Sequence, residues 1–252
     1  MNPARAYVAE IKYEFLKTIR LPGYVIPTIL FPLMFYILFG LALGPKAGGG
    51  VEAATYLIAT YGAFGVIGAS FVGFGVGVAT ERGQGWLLVK RASPMPPMAY
   101  FAAKIAMSML FSLVLVILLL TLGINFGHVQ LPFSTMLALT GTLVAGALPF
   151  CAMGLALGYL AGPNSASAIV NLIYLPMSFA SGLWIPMEVL PKFFKTLGPM
   201  LPAYHFAQLG LASLGYGQGS ALTHLLVLGG YALIFLAIAL FAYRRDDGRT
   251  FG

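Results

Sequence analysis

Hydrophobic residues run along this chain in long unbroken stretches, unlike the narrow periodic stripes of a water-soluble fold. A hydrocarbon core is crossed by about 20 apolar residues in a helix. Stretches of that kind cover residues 22–44, 54–79, 100–123, 133–160, 166–183 and 220–243, which predicts six transmembrane helices. Pro22 suits a first helical position, whereas Pro27 and Pro32 would kink the first span unless neighbours satisfy the freed carbonyls. A short loop, Pro45 to Glu52, turns the chain into the second span. Residues 4–20 read differently. Tyr7, Val8, Ile11, Phe15, Leu16 and Ile19 recur at helical spacing, with Glu10, Lys12, Glu14, Lys17 and Arg20 on the other side. That pattern predicts an amphipathic helix lying along the membrane surface. A signal peptide has an apolar run of only about 7–15 residues, and the run from Leu21 to Gly44 is longer.

Composition agrees with this picture. Of 252 residues, 60% are hydrophobic and 8% charged, where a soluble globule carries roughly 25% charged residues. Between Ile105 and Met187, 83 residues, there is no Asp, Glu, Lys or Arg. The fold class expected is an all-α integral membrane protein, one transmembrane domain over residues 1–252 with no room for a water-soluble catalytic domain. The net charge of +7 raises the question of a nucleic-acid partner. With six spans both ends face the same side. Arg5, Lys12, Lys17, Arg20, Arg82, Lys90, Arg91, Lys104, Arg244, Arg245 and Arg249 then share that side, against Lys46, Lys192 and Lys195 on the other. The positive-inside rule makes the richer side cytoplasmic. The basic residues are thereby explained by membrane insertion, and no nucleic acid is expected.

No carboxylate falls within the spans and no charge near the middle of one, which argues against a carrier driven by protons or sodium through a membrane carboxylate. No HExxH, intramembrane Asp or nucleophile elbow appears: Gly68-Ala69-Ser70-Phe71 lacks the closing glycine. No GxxxxGK[ST] phosphate loop occurs, and Gly73-Phe74-Gly75-Val76-Gly77 lacks dinucleotide-loop spacing. The lone Cys151 offers neither a disulfide nor a Cys-based metal site. His128, His205 and His224 have no ligand spacing, so hydrogen bonding near the outer surface is expected of them and no metal. Gly65, Ala69, Gly73 and Gly77, and likewise Gly154, Gly158 and Gly162, form small-residue stripes that suit close helix packing, within the chain or at a moving or dimeric contact. Ser70, Ser108, Ser112, Asn171 and Ser178, mixed with Phe, Tyr and Met, would suit an amphiphilic substrate and equally suit plain span packing.

Two segments outside the spans remain. The first, residues 81–97, joins a charge pair, Glu81-Arg82, to an apolar stretch, Trp86-Leu87-Leu88-Val89, then Lys90, Arg91 and a proline stop at Pro94. It predicts a short amphipathic helix projecting from the membrane. An interfacial anchor, with Trp86 at headgroup level and Lys90 and Arg91 on phosphates, fits the same residues. The second, residues 184–217, contains Pro186, Pro191, Pro199 and Pro202, the cluster Lys192-Phe193-Phe194-Lys195, and Tyr204-His205-Phe206. It is too broken for two full spans and too apolar for a free loop, so shallow helices re-entering the outer leaflet are expected.

The amphipathic N-terminal helix, six spans, the Glu81-Arg82-Gly83-x-Gly85-Trp86 loop ending in Lys90-Arg91-Ala92-Ser93-Pro94-x-Pro96-Pro97, and the late Leu183-Trp184-Ile185-Pro186 segment resemble the permease subunits of type-2 ATP-binding cassette (ABC) transporters. Drug and antibiotic exporters are among them. Many members carry a second Glu where this chain has Gly83. The resemblance implies a bacterial cytoplasmic (inner) membrane protein that exports a hydrophobic or amphiphilic substrate. It implies no catalytic residue, cofactor or metal on this chain. ATP and Mg would sit on a separate ABC ATPase subunit, present in two copies, beside a second permease copy, a homodimer by expectation. Residues 81–97 would be the coupling helix, with Glu81 and Arg82 holding its base, Trp86, Leu87 and Val89 forming its apolar seat, and Lys90 and Arg91 beside them. Residues 4–20 would be the interface helix, with Ile11, Phe15, Lys17 and Arg20 on the ATPase side. Residues 184–217 would shape the exit, with Trp184, Pro186, Phe193, Phe194 and Tyr204 as a gate, or else form a plain cap. A receptor or scaffold signalling through the same loop, and an uncoupled channel, are the readings from other classes.

Overall fold

The computed structural model describes residues 3–43, 50–93 and 95–245. The described residues form helices and no strands. In chain order these are α1 (Pro3–Ile19), α2 (Pro22–Phe35), a π-helical continuation (Tyr36–Leu43), α3 (Gly50–Gly83), α4 (Trp86–Ala92), α5 (Pro97–Phe126), α6 (Phe133–Ala145) and α7 (Ala147–Leu160). Then follow α8 (Ala166–Ala180), α9 (Lys192–Leu197), a 3₁₀ turn (Gly198–Met200), α10 (Pro202–Ser213) and α11 (Ala221–Arg245).

Among the described residues, five helical stretches are long and apolar enough to cross a membrane: Pro22–Ala42, Glu52–Gly83, Met98–Phe126, Phe133–Leu160 and Ala221–Arg245. The predicted span over 166–183 is different. Its helix α8 has 15 residues, about 22 Å, against a core of about 30 Å. It stops in a turn at Gly182, whose φ of +77° continues no right-handed helix. The predicted loop over 45–52 lies largely outside the described residues. Two further departures come from packing. The span over 133–160 is broken at Gly146, where a Cβ would lie 2.0 Å from the Phe206 ring. The first span widens into a π-helix four residues after Pro32 and places the buried Tyr36 ring against Gly40, where a Cβ would stand 3.0 Å away.

The centre of the bundle is α3, which packs on α2, α5, α7, α8 and α10. Ile58, Ala59, Tyr61, Ala63, Val66, Ile67 and Phe71 are fully shielded, so apolar residues occupy all sides of this helix and no stripe is left for the sequence to show. Its tightest crossing is with α7. A Cβ on Gly154 would meet the Phe71 carbonyl at 2.9 Å, and one on Gly158 the Phe74 carbonyl at 3.0 Å. Of the two predicted glycine stripes, the one on α7 thus packs within the chain. On the stripe of α3, Gly65 faces Leu115 and Pro32, and Gly73 faces Tyr24. The outer faces of α2, α5 and α11 are apolar and uncovered, with Leu30, Phe31, Ile117, Leu226 and Leu233 exposed. Such a surface is stable only against lipid or another apolar chain. The protein is therefore a multi-pass membrane protein.

Candidate functional site

At one end of the bundle the short helix α4 hangs from the foot of α3. Gly85, at φ +75°, makes the reversal between them, a backbone setting that suits glycine. Backbone N–H groups of Leu88 and Val89 bond back to the Gly85 carbonyl at 3.0 and 3.4 Å. Ser93 ends the helix, its hydroxyl donating to the Lys90 carbonyl at 2.8 Å. The predicted helix is therefore present, and its sides are unequal. Leu87 is 8% exposed and packs with Phe74, Val78, Tyr100, Cys151 and Tyr159, whereas Trp86 is 55% and Val89 62% exposed. Leu87 is covered by its own bundle, unlike the other apolar residues of α4. Leu88 faces outward beside Trp86 and Val89. The side chain of Arg91 lies outside the described residues.

Charges fasten this end. Glu81, in the last turn of α3, accepts from Lys104 Nζ at 3.0 Å, from the Tyr100 hydroxyl at 2.7 Å and from Lys17. Lys104 also donates to Glu14 at 2.9 Å, and Lys17 to Glu14 at 2.7 Å. Two carboxylates and two ammonium groups from α1, α3 and α5 thus form one closed network, with Lys104, Glu14 and Glu81 buried. A second pair, Lys90 to Glu10, ties α4 to α1, and the Lys90 ammonium lies 4.5 Å from the centre of the Tyr100 ring. The Lys90 ammonium is thus directed to Glu10. For Glu14, burial pushes the carboxyl upward, Lys104 pulls it down, Glu81 opposes and Lys17 adds to the pull. The result lies below the ordinary value of 4.5.

This network gives the charged side of the N-terminal helix partners within the protein. The side predicted to be solvated supplies Glu10, Glu14 and Lys17 to the protein, with Ala6 and Thr18 buried beside Glu14. Val8 and Ile19, on the predicted apolar side, are exposed. The reason is complementarity: α5 and α3 present a buried lysine and a buried glutamate that only charged partners can satisfy. Phe15 keeps an inward position and packs with Ala69, Met107 and Phe111. Ile11 is half-buried and Arg20 exposed. Neither Lys104, Glu14, Tyr100 nor Glu10 stood out in the sequence as a site residue; the available signal was a lysine seven residues inside an apolar helix.

Arg82 points the other way. Its guanidinium donates to the carbonyls of Gly158 (2.9 Å), Ala161 (3.0 Å) and Tyr159. It thus caps the C-terminus of α7, whose last carbonyls lack intrahelical partners and carry the negative end of the helix dipole. The adjoining Gly83 meets Pro163, where a Cβ would fall 2.6 Å from the ring. No side chain fits there, which accounts for glycine at that position. Tyr243, near the end of α11, lines a cleft of about 120 Å³ together with Leu87, Lys90, Tyr100 and Tyr159, so the chain's late helix ends at this same site.

The predicted gate residues lie at the opposite end and do not form one group. Trp184 sits in an aromatic nest, 5.4 Å from Phe35 and 5.6 Å from Phe64 between ring centres, and its carbonyl accepts the Tyr61 hydroxyl. Phe194 stands edge-on to Phe179, Phe193 is exposed, and Pro186 is half-buried in the turn that closes on Val189. Tyr204 lies apart from these, beside His205 and His224. Ser70 and Ser112 are buried between helices and bond to carbonyls of their own turns, while Asn171 is exposed and does the same. Among the described residues no cluster of His, Cys, Asp or Glu could hold a metal ion.

Comparison with known proteins bears on this arrangement. Residues 5–214 match the family described as ABC-2 type transporter. A protein of Bacillus subtilis (strain 168) named "Putative transport permease YvfS" is 26% identical over 241 residues, covering 95% of this chain and 96% of that one. The family match takes in the surface helix, α4 with its charge network, and the bundle down to the end of α10. A multi-pass helical chain matched over most of its length, the α4 loop included, is a permease of the ABC-2 type transporter family.

Proposed function

We propose that this chain is the membrane-spanning subunit of an ABC exporter that moves a hydrophobic or amphiphilic molecule outward, with ATP hydrolysed on a separate subunit seated against α4. The observation that carries this reading is the exposed apolar face of α4, Trp86, Leu88 and Val89, on a helix held rigidly by the Lys90–Glu10 pair and by Leu87. A helix anchored to α1, α3 and α5 at once transmits a rigid displacement instead of bending. Two ATPase copies and a second, identical permease would complete the assembly in the bacterial cytoplasmic membrane. The apolar outer faces of α2 and α11 are available to lipid or to that second copy. The six-crossing topology, with both ends cytoplasmic, is supported by the path of the chain. Pro163, just before α8, touches Gly83 at the α4 end, and the chain reaches His224 at the other end before α11 returns to Tyr243.

The test separates docking from folding. Trp86→Ala combined with Val89→Asp should leave expression and thermal stability unchanged but abolish copurification with the ATPase, and with it substrate-stimulated ATP hydrolysis. Leu87→Asn should instead lower stability. Retention of the ATPase by the Trp86/Val89 variant would refute the assignment of α4.

A further inference from the structure

His205, in the first turn of α10, and His224, in the first turn of α11, are buried and face each other with their Nδ1 atoms 2.8 Å apart. Their other ring nitrogens are also engaged. His205 Nε2 lies 2.9 Å from the Pro199 carbonyl oxygen, and His224 Nε2 lies 2.7 Å from that of Gln218. A carbonyl oxygen only accepts, so each Nε2 must carry a hydrogen. Between the two Nδ1 atoms there is room for one hydrogen. With none, two lone pairs confront each other; with two, N–H meets N–H. Two imidazoles therefore hold three protons, and the pair bears one positive charge.

We propose that His205 and His224 form a proton-binding site, an imidazole–imidazolium pair whose shared proton clasps α10 and the turn before it to the start of α11. The surroundings offer that charge little help. Burial and the positive ends of two helices oppose it. On α10, Tyr204 stands edge-on to both rings. The Glu188 carboxylate accepts from the Gln218 side-chain amide at 3.0 Å and lies near enough to act on Tyr204, while Lys195 bonds the Glu188 carbonyl. From α11, Tyr231 donates to Met200. From α3, Tyr56 packs on Tyr216, and from α8, Tyr174 donates away to Phe64. α6 and the 3₁₀ turn carry no ionisable side chain.

Loss of the shared proton leaves no arrangement that keeps all three contacts: either the Nδ1 atoms part, or one ring turns its lone pair on a carbonyl and gives up that anchor. A second added proton breaks the Nδ1 contact as well. The clasp is thus made while one proton is shared, and it loosens as rising pH removes it. Loosening would free the segment from Pro199 to Gln218, and with it the Phe206 ring that fills the break at Gly146. This inference is independent of how α4 is used.

The full chain, ¹⁵N-labelled at histidine and held in lipid nanodiscs, would be followed by NMR between about pH 5 and 8, with the exposed His128 as reference. Three protonated ring nitrogens among the four of His205 and His224 are expected at the acid end, with one shared Nδ1 resonance. Hydrogen exchange of residues 199–218, corrected for intrinsic chemistry, should quicken about tenfold as that resonance is lost. His205→Gln and His224→Gln should each remove the pH dependence. Two imidazoles that titrate independently of each other would overturn the proposal. So would exchange at 199–218 that ignores pH in the native chain, or pH dependence that survives in both variants.

Discussion

Replacing Lys104 by methionine leaves Glu14 and Glu81 buried, with the half-exposed Lys17 as their shared cation and the Tyr100 hydroxyl still on Glu81. Removing one partner of a buried charge network costs about 3–5 kcal/mol, and the loss should appear as a lowered unfolding midpoint in detergent, with faster hydrogen exchange in α1. Adding Glu81→Gln should recover part of that loss, since the two changes act on one network and will not add. Acid should act on the same contacts. Because the Glu14 carboxyl is held below its ordinary 4.5, its stabilising contribution is complete above that value and fades as pH falls through the lower folded one. Exchange in α1 measured across that acid range should therefore stay slow until below pH 4.5. Substituting Gln for Glu14 should remove this acid limb. Glu81 and Arg82 could be picked out from the sequence because they stand at the end of an apolar run. Lys104 and Glu14 could not, because an i-spacing pattern says which residues share a face and nothing about what that face meets.

Elements were legible where burial follows period or length. The long apolar helices, the surface helix and α4 were all foreseeable, and each helix boundary moved by only a few residues. What misled was the length of α8, where Gly182 ends a helix that hydrophobicity alone would continue, while the charged partners of α1 inside the protein went unforeseen. The break at Gly146 and the π-helical stretch are set by partners far along the chain, Phe206 and the helices around Tyr36, so no local signal announces them. The α3–α7 crossing gives a direct test at this scale. Gly154→Val would drive a side chain into the Phe71 carbonyl and the Phe74 Cβ, 2.9 and 2.8 Å from the first carbon alone. Overpacking of this kind costs about 1–3 kcal/mol, read as a drop in thermal stability, whereas Gly141→Ala, in open space, should be neutral.

For the whole molecule, the charge network and the histidine pair mark opposite ends of one bundle, and that polarity can be checked by labelling. Cys151 is buried, so a cysteine introduced at the exposed Val89 or Phe193 reports alone. A membrane-impermeant thiol reagent should reach Phe193→Cys in right-side-out vesicles and Val89→Cys only in inverted ones. Reversed labelling would place α4 beyond the reach of any cytoplasmic partner.

Lys104 also has a consequence for how the polypeptide is made. Glu14 and Glu81 both precede residue 104, so synthesis delivers the two acids before the buried lysine that joins them. A nascent chain halted short of that point would keep its leading segment unsealed and open to quality-control proteases. One long enough to bring residue 104 clear of the ribosome should be protected, which protease digestion of arrested chains of increasing length would read.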